Sequence, residues 1–151
     1  MTFKIAVISA SWNESIVQAA EDSFKSTIAE TQPEAEVRVF KVPGSLEIPL
    51  AGKQALENGF DIAIGIGFVV NGGIYRHEFV GHSVVQSILD VQLATDKPFL
   101  SVVLTPQAYC EHLEVYTEMY EKHMIKKGQE AANACVGMMK ALQDIDEASR
   151  I

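Results

Sequence analysis

Short apolar runs alternate along this chain with longer stretches whose apolar residues recur every three or four positions, the signatures of strands and helices in turn. Ile5 to Ile8 is a continuous apolar run and predicts a buried strand. Asn13 can then cap a helix through about Glu30, with Ile16, Ala20, Phe24 and Ile28 on one face. Glu36 to Val42 alternates as a second strand, and Leu46 to Asn58 reads as a helix closed by Gly59. Ile62 to Val70 is the third strand, followed by a helix from about His77 to Thr95 striped by Val80, Val84, Ile88 and Val91. Pro98 opens a fourth strand, Phe99 to Leu104, which Thr105-Pro106 ends. The tail predicts two helices: a polar one from about Glu111 to Lys122, and a final one after Gly128 that aligns Ala131, Cys135, Met138 and Leu142.

Apolar strands separated by helices imply a parallel sheet covered on both faces. Right-handed crossovers then give an α/β fold of flavodoxin-like, doubly wound topology, a three-layer sandwich around a four-stranded parallel sheet with ligands at the carboxyl ends of the strands. With 151 residues, 48% of them apolar, and no Pro- or Gly-rich linker, the expectation is a single domain over residues 1–151. Polar steps such as Ala94-Thr95-Asp96-Lys97 interrupt every candidate membrane span. The opening Met1-Thr2-Phe3-Lys4 lacks the order of a signal peptide, so the expected location is the cytoplasm. Cys110 and Cys135 have no metal-ligand spacing and are expected as free thiols, with no metal site. The net charge of −8 argues against nucleic-acid or anionic-membrane partners, and a small anionic substrate would need a local cationic pocket.

Candidate chemistry gathers at the predicted strand ends, in Ser9 to Asn13, Val42 to Glu47, Phe68 to His77 and Leu104 to Gln107. Gly72-Gly73 allows close backbone approach to a ligand ahead of a helix N-terminus, and Arg76 and His77 add a permanent cation and a titratable base. A tight strand-to-helix connection would by itself also explain that segment. Trp12, the one tryptophan, is either core material or a stacking platform for a planar ring beside Ser11 and Asn13. Glu47 either complements a helix dipole or, with Ser45 and Leu46, holds a polyhydroxy or heterocyclic group. His82 and His112 read as structural or solvated residues, and Tyr109, Tyr116 and Tyr120 as packing or an assembly surface. Ser9-Ala10-Ser11 lacks the paired acids of a phosphoacceptor receiver, and Ser11-Trp12-Asn13 is no flavodoxin phosphate loop. Gly65-Ile66-Gly67 lies inside a strand without the third glycine of a dinucleotide fingerprint, and no GxSxG nucleophile motif occurs.

Trp12-Asn13, Val42-Pro43-Gly44-Ser45-Leu46-Glu47-Ile48-Pro49 and the run from Gly67 through Asn71-Gly72-Gly73-Ile74-Tyr75-Arg76-His77 to Val80 closely resemble the 6,7-dimethyl-8-ribityllumazine synthase family. Leu100 to Pro106 and Lys127 to Ala132 extend the resemblance over nearly the whole chain, and the Gly-Gly-Ile-Tyr-Arg-His form resembles the second type of the family. The resemblance implies the penultimate step of riboflavin synthesis, with no cofactor: 5-amino-6-(D-ribitylamino)uracil condenses with 3,4-dihydroxy-2-butanone 4-phosphate. It implies that Trp12, beside Asn13, stacks on the pyrimidine, that Ser45, Leu46 and Glu47 hold the ribityl chain, and that Phe68, Val69 and Val70 bind the ring through main-chain atoms. Gly73 and Ile74 would supply amides to the phosphate, and His77 suits proton transfer. Aligned without gaps, however, the family's usual catalytic histidine falls on Arg76, which cannot readily accept a proton near neutrality. Arg76, His123, Lys126 and Lys127 are the candidates for the phosphate cation, and Ser101 stands where the family often has an aromatic contributed by a neighbouring subunit. The resemblance further implies pentamers with sites between subunits. The short N-terminus favours a pentamer or a decamer of two pentamers over a large capsid. A non-catalytic lumazine- or flavin-binding scaffold is the rival expectation, raised by Arg76.

Overall fold

The computed structural model describes residues 2–70, 76–106, 109 and 113–150. Its four strands, β1 (Lys4–Ala10), β2 (Glu36–Val42), β3 (Ile62–Phe68) and β4 (Phe99–Leu104), are parallel and ordered β2-β1-β3-β4. The helices are α1 (Glu14–Thr31), α2 (Ile48–Glu57), α3 (His77–Thr95) and α4 (Glu114–Ala148). Because successive strand residues point to opposite faces, β1 feeds two cores. Ile5 and Val7 meet Ile16, Phe24 and Ile28 of α1 and Met124 and Cys135 of α4, whereas Ala6, Ile8 and Ala10 meet Ile48 and Leu56 of α2 and Val84 and Ile88 of α3. The result is the flavodoxin-like three-layer sandwich expected from the apolar runs. Fully buried side chains such as Phe24, Phe99 and Ile88 each contribute about 1.5–3 kcal/mol through apolar burial. Among the described residues no helix is long and apolar enough to cross a membrane.

The structure departs from the sequence expectation in five places. First, β1 runs from Lys4 to Ala10, longer than its apolar centre. β3 stops at Phe68 rather than Val70, because its partner β4 ends opposite it at Leu104; a last bond from the Val69 amide to the Leu104 carbonyl, 2.9 Å, lies beyond the strand. The segment from Ser45 to Glu47 is a turn of 3₁₀ helix, and α2 begins only at Ile48, with Pro49 in its first turn where a missing amide costs nothing. Met138 is partly solvent-exposed rather than packed in line with Ala131 and Cys135. The largest change is at the C-terminal end, where one helix of 35 residues, about 50 Å long at 1.5 Å per residue, replaces two. The expected start of the polar helix at Glu111, together with Cys110 and His112, lies outside the described residues.

Gly128 suggested a helix break, yet it stands inside α4 and is buried. The absent side chain is what lets α4 lie on α1: a Cβ at Gly128 would collide with the Ala20 carbonyl oxygen and lie 2.8 Å from Ser23 Cβ. At the same crossing the Ser23 hydroxyl donates to the Ile125 carbonyl. Nine residues further along, Gly137 has nothing within 4 Å of its Cβ position.

These two glycines should respond oppositely to the same substitution. Gly128→Ala should destabilise the protein by about 1–3 kcal/mol by forcing the helices apart, while Gly137→Ala should stabilise it by about 0.5–1 kcal/mol by removing backbone entropy from an exposed helix. Urea midpoints of the two variants check both signs. A second expectation concerns Cys135, whose thiol burial pushes up from 9.0 to about 12. The unfolded chain then loses this proton first, so the contribution to stability is intact below about pH 9 and is lost as pH rises toward 12. Above pH 9 the urea midpoint of the parent should fall more steeply than that of Cys135→Ala.

Candidate functional site

The carboxyl ends of the strands finish nearly level. Ala10 pairs with Val42, Ser9 with Ile66, and Phe68 with Leu104. The connection leaving β1 is tied to strands on both sides. Ser11 donates to the carbonyl of Val42, the last residue of β2, from its amide at 3.0 Å and its hydroxyl at 2.8 Å. Asn13 Nδ2 donates at 3.1 Å to the carbonyl of Phe68, the last residue of β3. Asn13 does occupy the N-cap position of α1, but with φ 55° and ψ 49° and no side-chain cap bond, so its amide bridges strands instead of closing the helix. Asparagine is one of the few side chains that tolerates this left-handed backbone.

Between these two anchors Trp12 is 73% exposed, which removes the core reading of that residue. A Cβ placed on Gly44 would lie 3.5 Å from Glu47 Oε1 and 3.8 Å from Trp12 Cδ1, so the indole and the carboxylate border the same small space. Ser45 closes its inner side. Its hydroxyl rests where a Cβ on Gly67 would be, so Gly67 in β3 is what admits the turn from Ser45 to Glu47 to the strand edge. A glycine inside an apolar strand signals such a close approach, and that signal was present in Gly65-Ile66-Gly67. Leu46 is exposed beside them. The Phe68 ring turns away from this edge, packing edge-on against Tyr109 and Tyr120 at centroid distances of 5.3 and 5.1 Å. At this edge the Phe68 carbonyl accepts from Asn13, the Val69 amide is committed to Leu104, and Val70 is half-buried.

The mouth of α3 holds the basic pair. Arg76 is exposed in an extended conformation at the N-cap, with its guanidinium 6.0 Å from the centroid of the Phe79 ring. His77 opens the helix, its side chain only 17% exposed, with Nδ1 3.3 Å from the Glu78 carboxylate. Gly73 and Ile74 lie outside the described residues, as does Gly72. His82, one turn into α3, is exposed.

The remaining candidates gather elsewhere. Ser101 and Lys127 line a groove of about 300 Å³ between β4 and α4 that none of the Trp12 group reaches. Ser101 Oγ accepts from the Val103 amide at 3.2 Å, and Lys127 Nζ donates to Glu130 at 3.0 Å. That bond from Lys127, aided by the positive charges of Lys127, Lys126 and His123, holds the Glu130 carboxyl below its ordinary range against a smaller opposing effect of desolvation. Three of the four phosphate candidates thus lie on α4, where Lys127 is paired with Glu130, whereas Arg76 stands at the mouth of α3.

A parallel sheet flanked by helices, with an aromatic ring, a carboxylate and a strand-edge turn converging at its carboxyl end, defines an α/β protein of the doubly wound class, in which that end of the sheet is the usual place for ligands. Comparison with known proteins narrows the class. The family model for 6,7-dimethyl-8-ribityllumazine synthase matches residues 2–143, and the chain belongs to that family. The 6,7-dimethyl-8-ribityllumazine synthase of Rhodococcus erythropolis is 42% identical over 142 residues, covering 93% of this chain and 91% of its own. Proteins named 6,7-dimethyl-8-ribityllumazine synthase 2 from Bradyrhizobium diazoefficiens and Pseudomonas syringae pv. tomato are 40% and 36% identical, covering 93% and 94% of this chain and 84% of their own lengths.

Trp12 gives a direct optical check on this geometry. As the one tryptophan and an exposed one, it should emit at the red end of the indole range and be quenched efficiently by acrylamide in the unliganded protein. A blue-shifted, acrylamide-protected emission would return the ring to an apolar interior.

Proposed function

We propose that the protein condenses 5-amino-6-(D-ribitylamino)uracil with 3,4-dihydroxy-2-butanone 4-phosphate to form 6,7-dimethyl-8-ribityllumazine, releasing phosphate and water. The observation that carries this reading is the shared space of Trp12 and Glu47 beside Ser45 at the strand edge, in a chain of this family. The pyrimidine stacks on the exposed indole, an interaction worth about 1–3 kcal/mol for a heterocyclic base. The Glu47 carboxylate and the Ser45 to Leu46 segment take the ribityl hydroxyls. Main-chain atoms of Phe68, Val69 and Val70 border the ring, which Asn13 helps to set in place by holding the end of β3.

The chemistry begins when the 5-amino group attacks the ketone and water leaves to form an imine. Elimination of phosphate then produces an enol that becomes a new carbonyl, and the ribityl-bearing amine attacks it, with loss of water, to close the second ring. Each step moves protons between nitrogen, carbon and oxygen. His77, partly buried at the start of α3, is the group suited to that traffic, since an imidazole exchanges protons near neutral pH. Arg76 keeps its charge throughout and anchors the phosphate together with the amides of Gly73 and Ile74. Ser101, His123, Lys126 and Lys127 belong to the surface of β4 and α4, and in this reading they serve the site of a neighbouring copy in a pentamer or a decamer of two pentamers. A non-catalytic lumazine- or flavin-binding scaffold is the second reading, favoured by the arginine that takes the place of the family's histidine in a gap-free alignment.

The purified protein mixed with both substrates should raise lumazine absorbance and fluorescence faster than the spontaneous condensation. Tight lumazine binding without any such rate would instead support the scaffold. Arg76→Ala should raise KM for the butanone phosphate about tenfold or more, the loss of a charge-assisted anchor. His77→Ala should lower kcat about a hundredfold or more and flatten the pH profile near neutrality. If Arg76→Ala abolishes kcat at saturation while His77→Ala is near normal, the two roles are reversed.

A further inference from the structure

Below the Trp12 edge lies a polar cluster that neither the family resemblance nor the ligand chemistry uses. Glu21 of α1 is a carboxylate whose side chain is only 4% exposed. Lys41 of β2 reaches across the end of β1 to meet it, Nζ to Oε1, at 2.7 Å. The same ammonium donates to the Ser9 hydroxyl of β1, a fully buried residue, and to Gln18 Oε1 of α1, both at 3.3 Å. Gln18 in turn donates to the second Glu21 oxygen at 2.6 Å and to Asp22 at 2.8 Å. One cation therefore joins three elements. Two of them, β1 and β2, end one residue beyond Ser9 and Lys41, at Ala10 and Val42, and the third, α1, starts immediately after Asn13.

We infer that the Lys41–Glu21 pair is a positioning device for the ligand edge, fixing the separation between the connection that carries Trp12 and Asn13 and the turn that carries Ser45 and Glu47. The register supports this directly. Lys41 pairs with Ser9, and the next rung, Ala10 with Val42, leads to the Val42 carbonyl that Ser11 holds. A carboxylate so buried is strongly unfavourable without its partner. Loss of the cation therefore obliges Glu21 to move toward water, drawing the first turns of α1 away from β2. The indole and the Glu47 carboxylate then no longer border one space. Lys41 itself touches no ligand; it acts through Trp12, Asn13 and the following turn. The inference rests on the proposed function for the identity of the ligand.

The test titrates intact protein with 6,7-dimethyl-8-ribityllumazine, reading Trp12 fluorescence, and measures steady-state kinetics with both substrates. Lys41→Met should weaken lumazine binding and raise KM for the ribitylaminouracil by about tenfold, equivalent to about 1.4 kcal/mol of binding, leaving KM for the butanone phosphate near the parent's. The charge-reversed double variant, Lys41→Glu with Glu21→Lys, restores a pair of opposite charges and should recover parental affinity. Equal binding by Lys41→Met and the parent overturns the inference, as does failure of the charge-reversed variant to recover, or a loss in Lys41→Met that merely follows its folded fraction or affects both substrates alike. A parent that binds no lumazine overturns the proposed function, and the inference with it.

Discussion

The Asn13 side chain reaches from the end of β1 to the last carbonyl of β3, and the form of the strand edge that carries Trp12 depends on that bond. The backbone at Asn13 is left-handed, a conformation that costs an ordinary residue roughly 1–2 kcal/mol and asparagine less. A single hydrogen bond contributes about 1 kcal/mol in return. Neither amount is large within a fold, but together they select one path for the chain. That path turns Trp12 outward between the strands, lets Ser11 close onto Val42, and starts α1 in the direction that covers the sheet.

The rest of the architecture makes this path possible by permitting unusually close contacts where side chains would otherwise intervene. Gly67 leaves room in β3 for the Ser45 hydroxyl, and Gly128 leaves room in α4 for the backbone of α1. The first contact brings the turn from Ser45 to Glu47 against the strand edge, and the second seats α4 on α1, whose own N-terminus carries Asn13. Phe68 links the two, because its ring packs with Tyr109 and Tyr120 near α4 while its carbonyl receives Asn13. Packing on one face of the sheet and the placement of Trp12, Ser45 and Glu47 at its end are thus parts of the same arrangement.

Sequence periodicity revealed the elements whose signals are local. The apolar stripe of α3 and the run from Phe99 to Leu104 ended where Asp96, Pro98 and Thr105-Pro106 interrupt them, and the structure agrees. Trp12, Glu47 and Ser45 were legible as candidates because they follow strand ends, and parallel strands bring such ends together. What failed depended on contacts distant in sequence. Gly128 looks like a helix breaker until α1 is packed against it, Asn13 like a simple cap until β3 lies beside it, and nothing local marks Lys41 and Glu21 as a pair. Ser101 and Lys127 are brought together by the fold, but on a groove separate from Trp12, which sequence spacing had no means of distinguishing.

A crystal structure of the protein with 6,7-dimethyl-8-ribityllumazine and inorganic phosphate bound is the most direct measurement of the central claim. The account expects the heterocycle stacked on the Trp12 indole, the ribityl hydroxyls within hydrogen-bond reach of Ser45 and Glu47, and phosphate at the mouth of α3 beside Arg76. A lumazine bound away from Trp12, with the strand edge between Asn13 and Glu47 unengaged, would contradict it.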